Sequence, residues 1–180
     1  MSEKLVSILI PVYNRAQLVG ETIKSAMAQT YENIEIIIVD NCSTDDTWNV
    51  LNSFKQKDNR IKLFQNEENI GPVLNWKRSI DESKGEYLKV LFSDDLIAEN
   101  FIENSLLVFK EDTAFVLSEI EVFNNNGETK KSKFQKLKSF TVDEYYKDVL
   151  LYNLYNFPVS PGCAVFRTRD LKKYLKIDIK

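Results

Sequence analysis

Short apolar runs alternate with amphipathic stretches through the first half of the chain. Four runs of four to six residues are dominated by Ile, Leu, Val and Phe, at positions 5–10, 34–39, 61–64 and 87–92. Runs of this length and composition are typical of buried parallel strands. Apolar residues at helical spacing between them predict three connecting helices, over residues 17–29, after Thr47, and from Gly71 to a glycine stop at Gly85. This alternation predicts an α/β fold with a doubly wound, mostly parallel sheet and helices on both faces.

The second half of the chain is less regular. Its pattern predicts a helix over 99–110, a strand over 115–123, a turn at 124–127, a helix over 142–152 and an extended stretch over 157–166. Neither an internal repeat nor a linker interrupts the sequence. We therefore expect a single domain over residues 1–180.

Composition narrows the chemistry. The 180 residues carry a formal charge of −3, which argues against a basic surface for nucleic acid. The chain contains no histidine, so chemistry must rest on carboxylates rather than on histidine bases or metal ligands. No apolar run approaches the roughly 18 residues of a membrane span, and no signal sequence precedes the first strand, so we expect a cytoplasmic protein. Cys42 and Cys163 are expected to be free thiols.

Polar residues gather where the predicted strands end. They are Asn14, Asp40, Asn41, Asp94 and Asp95. Because the carboxyl ends of parallel strands form the ligand edge of a doubly wound sheet, these side chains are expected to line one site.

Asp94 and Asp95 are two adjacent carboxylates directly after the fourth strand. Their mutual repulsion is costly unless a cation joins them, and Mg²⁺ is commonly held by one or two carboxylates plus substrate phosphates. The pair therefore predicts a Mg²⁺ or Mn²⁺ site. A second interpretation stays open, in which the two carboxylates only cap the following helix.

The other edge residues suit a nucleotide. Tyr13 and Asn14 follow the first strand, where an aromatic ring can stack on a nucleobase and an amide can hydrogen-bond to the edge of that base. An ordinary turn with a packed tyrosine is the alternative. Asp40 and Asn41 either bind base and ribose groups or only cap a loop.

Taken in order, these segments resemble family 2 glycosyltransferases of the GT-A fold. The resemblance covers residues 5–110 and rests on VSILIPVYN (6–14), QTY (29–31), EIIIVDNCSTDD (35–46), NIG (69–71), GEY (85–87) and SDD (93–95). It implies a nucleotide-diphosphate sugar donor of the UDP or dTDP type, a divalent metal, and inverting transfer to an acceptor hydroxyl. Surface-polysaccharide or glycolipid assembly is the family's commonest setting. On this basis residues 1–110 form the nucleotide-sugar-binding half and 111–180 the start of an incomplete acceptor half.

The resemblance also assigns roles by position. It makes Asp95 the metal ligand and Asp94 a ribose or phosphate contact, and it implies donor binding by Pro11, Tyr13, Asn14, Asp40 and Asn41. Many relatives carry aspartate where this chain has Asn41, so the identity of the nucleobase stays open. Lys77 and Arg78 are the only cations between residues 69 and 80, and they either bind phosphate or are ordinary solvated helix charges.

The general base is the missing part. The resemblance implies an aspartate well downstream of the metal site, for which Asp170 and Asp178 are weak candidates. We expect the base beyond Lys180, in a longer enzyme of which this chain is a C-terminally shortened piece. Two other functions stay open: a nucleotide-sugar-binding module without turnover, and a nucleotidyltransferase. A dinucleotide-dependent oxidoreductase is disfavoured, because no glycine-rich turn follows the first strand.

Five lysines form a basic arm between Lys130 and Lys138. The arm either contacts an anionic membrane that bears a lipid-linked acceptor or is a solvated hairpin arm, since no apolar face accompanies the lysines. We expect a saccharide or lipid-linked acceptor, and a location in the cytoplasm or at the inner face of the membrane.

Overall fold

A computed structural model describes residues 4–123, 129–131, 139–147 and 160–174. These residues fall into two compact units. Residues 4–116 with 165–174 form one unit, and the described residues between 117 and 164 form the other. The single domain over 1–180, with its two halves, stays a prediction.

Strands and helices alternate strictly as far as the fourth helix. In chain order they are β1 (Val6–Val12), α1 (Val19–Met27), β2 (Ile34–Asp40), α2 (Thr47–Lys55), β3 (Ile61–Gln65), α3 (Pro72–Asp81), β4 (Tyr87–Val90) and α4 (Phe101–Val108). The described elements that follow are β5 (Phe115–Leu117), β6 (Glu121–Phe123), β7 (Thr129–Lys131), α5 (Val142–Lys147), a 3₁₀ turn (Pro161–Cys163), β8 (Ala164–Arg167) and α6 (Thr168–Tyr174). Within these residues, no helix combines the length and apolar character needed to cross a membrane.

Six strands form one mixed sheet in the order β3-β2-β1-β4-β8-β5. β1 pairs in parallel with β2 and β4, and β2 pairs in parallel with β3. β8 runs antiparallel to β4, with Tyr87 opposite Arg167. The predicted mostly parallel α/β sheet is therefore confirmed, and the carboxyl ends of β1, β2, β3 and β4 share one edge.

The core lies on both faces of the central strands, because every residue of β1 and β2 is buried. Side chains alternate between faces along a strand. Ile8 and Ile36 pack on one face, with Ile23 of α1 and Leu51 of α2. Leu9, Ile37 and Val39 pack on the other face with Ile80 of α3. Helices thus cover both faces, which fixes the strand ends that carry the site.

Three predictions about secondary structure were wrong, and one of them is the extended stretch over 157–166, which contains the 3₁₀ turn Pro161–Cys163. The strand expected over 115–123 is broken, because the chain leaves the sheet after Ser118, whose N–H and Oγ both donate to the carbonyl of Cys163. β6 then pairs with β7 in a separate two-stranded sheet. α3 ends at Asp81, and Gly85 is not its stop. The turn predicted at 124–127, and the later parts of the predicted arm and helix, lie outside the described residues.

Candidate functional site

The ligand edge is built by backbone bonds that continue past the strand ends. The N–H of Asn41 donates to the carbonyl of Val12 at 2.8 Å, and the N–H of Asn66 donates to the carbonyl of Asp40 at 2.9 Å. The residues that follow β1, β2 and β3 are therefore held side by side.

Pro11 lies inside β1 and is buried, whereas the sequence suggested that it closes the strand. A proline is tolerated there because of the ladder geometry. The carbonyl of Leu9 accepts from Leu91 on the β4 side, so Pro11, two residues on, faces the same side. The β1–β4 pairing ends at Leu9, so the missing N–H costs no ladder bond.

Asn14 turns the chain sharply after β1. Its φ of 51° is left-handed. Its N–H donates to Ser43 Oγ at 2.9 Å, and its Oδ1 accepts from the N–H of Thr44 at 2.8 Å. Its side chain is therefore committed to the loop after β2. Tyr13 just before it stays 40% exposed, with its ring available at the edge.

Asp40 is fully buried and serves the same loop. Its carboxylate accepts from the Ser43 hydroxyl, from the Ser43 N–H at 3.2 Å, and from Gln65 Nε2 at 2.9 Å. The structure thus favours the loop-capping interpretation for this side chain.

Asn41 is also buried, and its amide joins β2 to the segment after β3. Its Oδ1 accepts from Asn66 Nδ2 at 2.7 Å and from the N–H of Ile70 at 3.0 Å. Its Nδ2 donates to Asn69 Oδ1 at 2.7 Å. These bonds use both lone pairs of the amide oxygen, so a base could meet only its second N–H.

The two cations of α3 have partners within the protein. Lys77 Nζ lies 2.5 Å from Asp81 Oδ2, one helical turn on. Arg78 donates to the carbonyl of Gln65 at 3.1 Å and to the side chain of Asn66. Lys77 therefore matches an ordinary helix-surface charge better than a phosphate ligand.

Asp94 and Asp95 sit in a turn directly after β4. The N–H of Asp95 donates to the carbonyl of Phe92 at 3.0 Å. The next helix, α4, begins only at Phe101, and its N-cap residue is Asn100. The two carboxylates therefore do not cap that helix, which removes the main alternative to a ligand role.

The charges around this turn are unbalanced. Burial and the neighbouring Asp94 carboxylate raise the pKa of Asp95 above its usual range, against an opposing effect of Lys89. Arg15, in the loop after β1, places its Nε 3.5 Å from Asp94 Oδ2. This ion pair brings the loops after β1 and β4 together.

The turn suits a divalent ion that needs few protein ligands. Among the described residues, no group of three or more Asp, Glu or Cys side chains is arranged to hold a metal. Asp94 and Asp95 can supply one or two carboxylates, which is the number Mg²⁺ takes when phosphates and water complete its shell. The donor set therefore fits Mg²⁺ or Mn²⁺ bound together with a phosphate ligand.

Asp170 lies at the opposite edge of the sheet. It follows β8, whose antiparallel course ends opposite Tyr87, at the amino end of β4. It pairs with Arg167 at 3.7 Å and with Arg169 at 3.5 Å. This placement rules it out as a base at the ligand edge, and Asp178 lies outside the described residues.

Sequence reasoning missed two residues of this edge. Arg15 directly follows Asn14, and Asn66 is the first residue after β3, where it bonds Asn41 and Asn75. The available signal was position, because Arg15 lies three residues after β1 and Asn66 lies directly after β3. That position alone does not distinguish a ligand contact from an ordinary loop residue.

Known proteins share both the sequence pattern and the fold. The family model described as Glycosyl transferase family 2 matches residues 7–175. Glycosyltransferase GlyG of Streptococcus pneumoniae serotype 4 is 37% identical over 117 residues, which cover 65% of this chain and 38% of GlyG. The UDP-Glc:alpha-D-GlcNAc-diphosphoundecaprenol beta-1,3-glucosyltransferase WfaP of Escherichia coli is 39% identical over 112 residues, 62% of this chain and 44% of WfaP. The crystal structure of S. aureus TarS 1-349 in complex with UDP-GlcNAc has a TM-score of 0.72 at 23% identity, over 93% of this chain and 46% of that one.

The fold and the family together define a transferase with the Rossmann-like GT-A architecture. The chain belongs to glycosyl transferase family 2. The resemblance expected from the sequence is thereby confirmed. The matched part spans less than half the length of GlyG and of WfaP.

Proposed function

We propose that this chain binds a nucleoside diphosphate sugar of the UDP or dTDP type together with Mg²⁺ or Mn²⁺. We further propose that the protein transfers the sugar to an acceptor hydroxyl with inversion. The observation that carries the proposal is the turn after β4, where Asp94 and Asp95 lie beside Arg15 of the loop after β1. One or two carboxylates can hold a metal-bound diphosphate, a cation beside the phosphates strengthens that binding, and this edge supplies both kinds of group.

In this proposal Asp95 holds the metal and Asp94 contacts ribose or phosphate. The exposed ring of Tyr13 stacks on the base. Asp40 and Asn41 shape the pocket wall through the loops that they hold, rather than through exposed side chains. When bound, the metal stabilises the charge that develops on the departing diphosphate.

The acceptor is proposed to be a saccharide or a lipid-linked saccharide, in surface-polysaccharide or glycolipid assembly at the inner face of the membrane. The name of WfaP describes transfer to a diphosphoundecaprenol-linked sugar, which supports this class of acceptor. The described part of the basic arm, Lys130 and Lys131, is exposed on β7 and is consistent with contact to an anionic surface. We assign no general base among the described residues.

Donor binding is tested by thermal shift with UDP, dTDP, GDP and CDP sugars, each with and without Mn²⁺. A ligand at about 100 times its Kd adds roughly 2.7 kcal/mol to the stability of the native state, so a bound donor raises the Tm measurably. We expect a shift that requires Mn²⁺ and is largest with a UDP or dTDP sugar. The absence of any Mn²⁺-dependent shift across the panel would defeat the proposal.

Asp95→Ala is the matching variant. It should remove the Mn²⁺-dependent part of the shift, because the proposed metal ligand is gone. Asp112→Ala is the control, since Asp112 is an exposed carboxylate in the loop after α4. It should keep the full shift, and an equal loss in both variants would show that the effect does not belong to the site.

A further inference from the structure

Arg15 has a fixed backbone and a half-exposed guanidinium group. Its N–H donates to Thr47 Oγ1 at 2.8 Å, and its carbonyl accepts from the N–H groups of Leu18 and Val19, both at 3.0 Å. The starts of α1 and α2 therefore hold its Cα in place. Its side chain, in contrast, is 43% exposed.

The guanidinium is only loosely held. Its Nε lies 3.5 Å from Asp94 Oδ2, and its Nη1 donates to the carbonyl of Asn14 at 3.1 Å. Exposed ion pairs at such distances contribute little to stability, so exchanging Asp94 for another anion costs little.

Other cations near this edge are less suited to bind a ligand. Lys77 is paired with Asp81, Arg78 bonds the backbone and side chain of the segment after β3, and Lys89 is fully buried over the ring of Phe101. Among the residues that the structure describes, Arg15 is the cation that combines exposure with a position beside the Asp94–Asp95 turn.

We propose that Arg15 binds the diphosphate of the donor and pairs with Asp94 only while the metal and diphosphate are absent. This inference rests on the proposed function. The planar guanidinium matches two phosphate oxygens at once, which an ammonium group cannot do. In the ligand-free chain Arg15 offsets the charge of the carboxylate pair. With a divalent ion held at Asp95, that charge would be offset by the ion, and Arg15 would be able to bind the phosphates.

Affinities for nucleosides and nucleoside diphosphates separate this role from a structural one. UDP, dTDP, GDP and CDP are titrated in Mn²⁺ beside their nucleosides, with the wild-type chain, Arg15→Gln and Arg15→Lys. Arg15→Gln should weaken diphosphate binding by about 10- to 100-fold, the usual effect of a lost charged hydrogen bond, and leave nucleoside binding within about twofold. The diphosphate affinity of Arg15→Lys should lie between those of the wild-type chain and Arg15→Gln, because lysine keeps the charge and lacks the planar guanidinium.

Arg169→Gln is the matched control, because Arg169 is an exposed arginine that also pairs with an aspartate, at the opposite sheet edge. It should change neither affinity. If the wild-type chain binds no diphosphate, the proposed function itself fails. If it binds one and Arg15→Gln binds it equally well, only the role of Arg15 is overturned.

A second measurement uses only the wild-type chain and so does not depend on whether a variant folds. Phenylglyoxal modification of the wild-type chain, mapped by mass spectrometry, reports the accessibility of each arginine. Mn²⁺ with the bound diphosphate should slow modification of Arg15 several-fold and leave Arg169 unchanged. Equal labelling of Arg15 with and without the ligand would overturn the proposal.

Discussion

Asn14 and Cys42 adopt left-handed backbone conformations at the ligand edge, with φ of 51° and 61°. Asparagine tolerates this region, and here its side chain bonds Thr44. Cys42 has a weaker compensation, because its thiol, a weak donor, donates to the carbonyl of Glu67 at 3.6 Å. A β-carbon in this conformation costs about 1–2 kcal/mol, and the hydrogen bonds that Ser43 donates to the Asp40 carboxylate hold the turn against that cost.

The strain at Cys42 gives a prediction at a single position. Cys42→Gly should be more stable than Cys42→Ala by about 1 kcal/mol, because glycine adopts a positive φ without steric penalty. Urea unfolding of both variants measures the difference. The same pair of substitutions at Ser53, exposed within α2, should show the reverse order by about 1 kcal/mol. Equal stability of the two Cys42 variants would mean that the turn relaxes in solution.

Position after a strand predicted the edge but not the direction of a side chain. Asp40 and Asn41 lie at the edge the sequence indicated, yet both are buried and bonded inward. Their partners, Gln65 and Asn66, come from the end of β3, some 25 residues away. A single sequence carries no sign of such long-range pairing, so the ligand role of these side chains could not be separated from a loop-holding role.

A buried polar network ties four elements at the edge opposite the site. Glu35 of β2 accepts from Ser7 of β1, from Lys62 of β3, and from the N–H of Lys84 before β4. Its side chain is 4% exposed. Burial alone raises the pKa of Glu35, but the bonds from Lys62, Ser7 and Lys84 outweigh it and hold the pKa below the ordinary 4.5. The ionised form is therefore favoured by folding.

The lowered pKa predicts how Glu35 contributes to stability across pH. Its contribution is fully present above its ordinary pKa of 4.5 and is lost as the pH falls through the lower folded value. Glu35→Gln should cost about 1–3 kcal/mol at pH 7, and its difference from the wild-type chain should shrink as the pH falls below 4.5. Urea unfolding at each pH measures this. Glu21→Gln, at an exposed residue of α1, should stay within about 0.5 kcal/mol at pH 7. A difference for Glu35→Gln that does not change with pH would contradict the prediction.

Gly85 completes the same network by close approach. Its N–H donates to Ser7 Oγ at 2.8 Å, and a Cβ at this position would lie 2.6 Å from Ser7 N and from Ser7 Oγ. The sequence suggested that Gly85 ends a helix. A glycine that ends a helix and a glycine that packs closely against a neighbouring strand cannot be distinguished from sequence until the neighbouring strand is known.

Gly85→Ala should therefore lower the free energy of unfolding by about 1–3 kcal/mol, as expected for an overpacked site. Gly20→Ala in α1 is the control, because its Cβ would meet the Phe54 ring at 3.6 Å, an ordinary contact. This variant should gain up to about 1 kcal/mol, since alanine favours the helix. A neutral result at Gly85 would show that Ser7 can move aside.

For the whole molecule, the local sequence pattern predicted the alternating strands and helices of the first half. It failed where strands are short and pair with strands far away in the sequence. β1 to β4 follow apolar runs that any parallel sheet requires. β5 and β8 have three and four residues, and β8 returns antiparallel to join β4. Strands this short carry no distinctive period, so their place in the sheet depends on tertiary contacts alone.

The site is expected to reduce the stability of the whole fold, as sites that gather like charges do. Asp95 stands beside Asp94 in an exposed turn, and Arg15 pairs with Asp94. Asp95→Asn should therefore raise the free energy of unfolding of the metal-free chain by about 0.5 kcal/mol while removing the Mn²⁺-dependent shift. Asp94→Asn relieves the same repulsion but loses Arg15, so it should give no such gain. Urea unfolding in EDTA measures both variants. A loss of stability in Asp95→Asn would mean that this carboxylate holds the turn together, and its assignment as metal ligand would then need independent support.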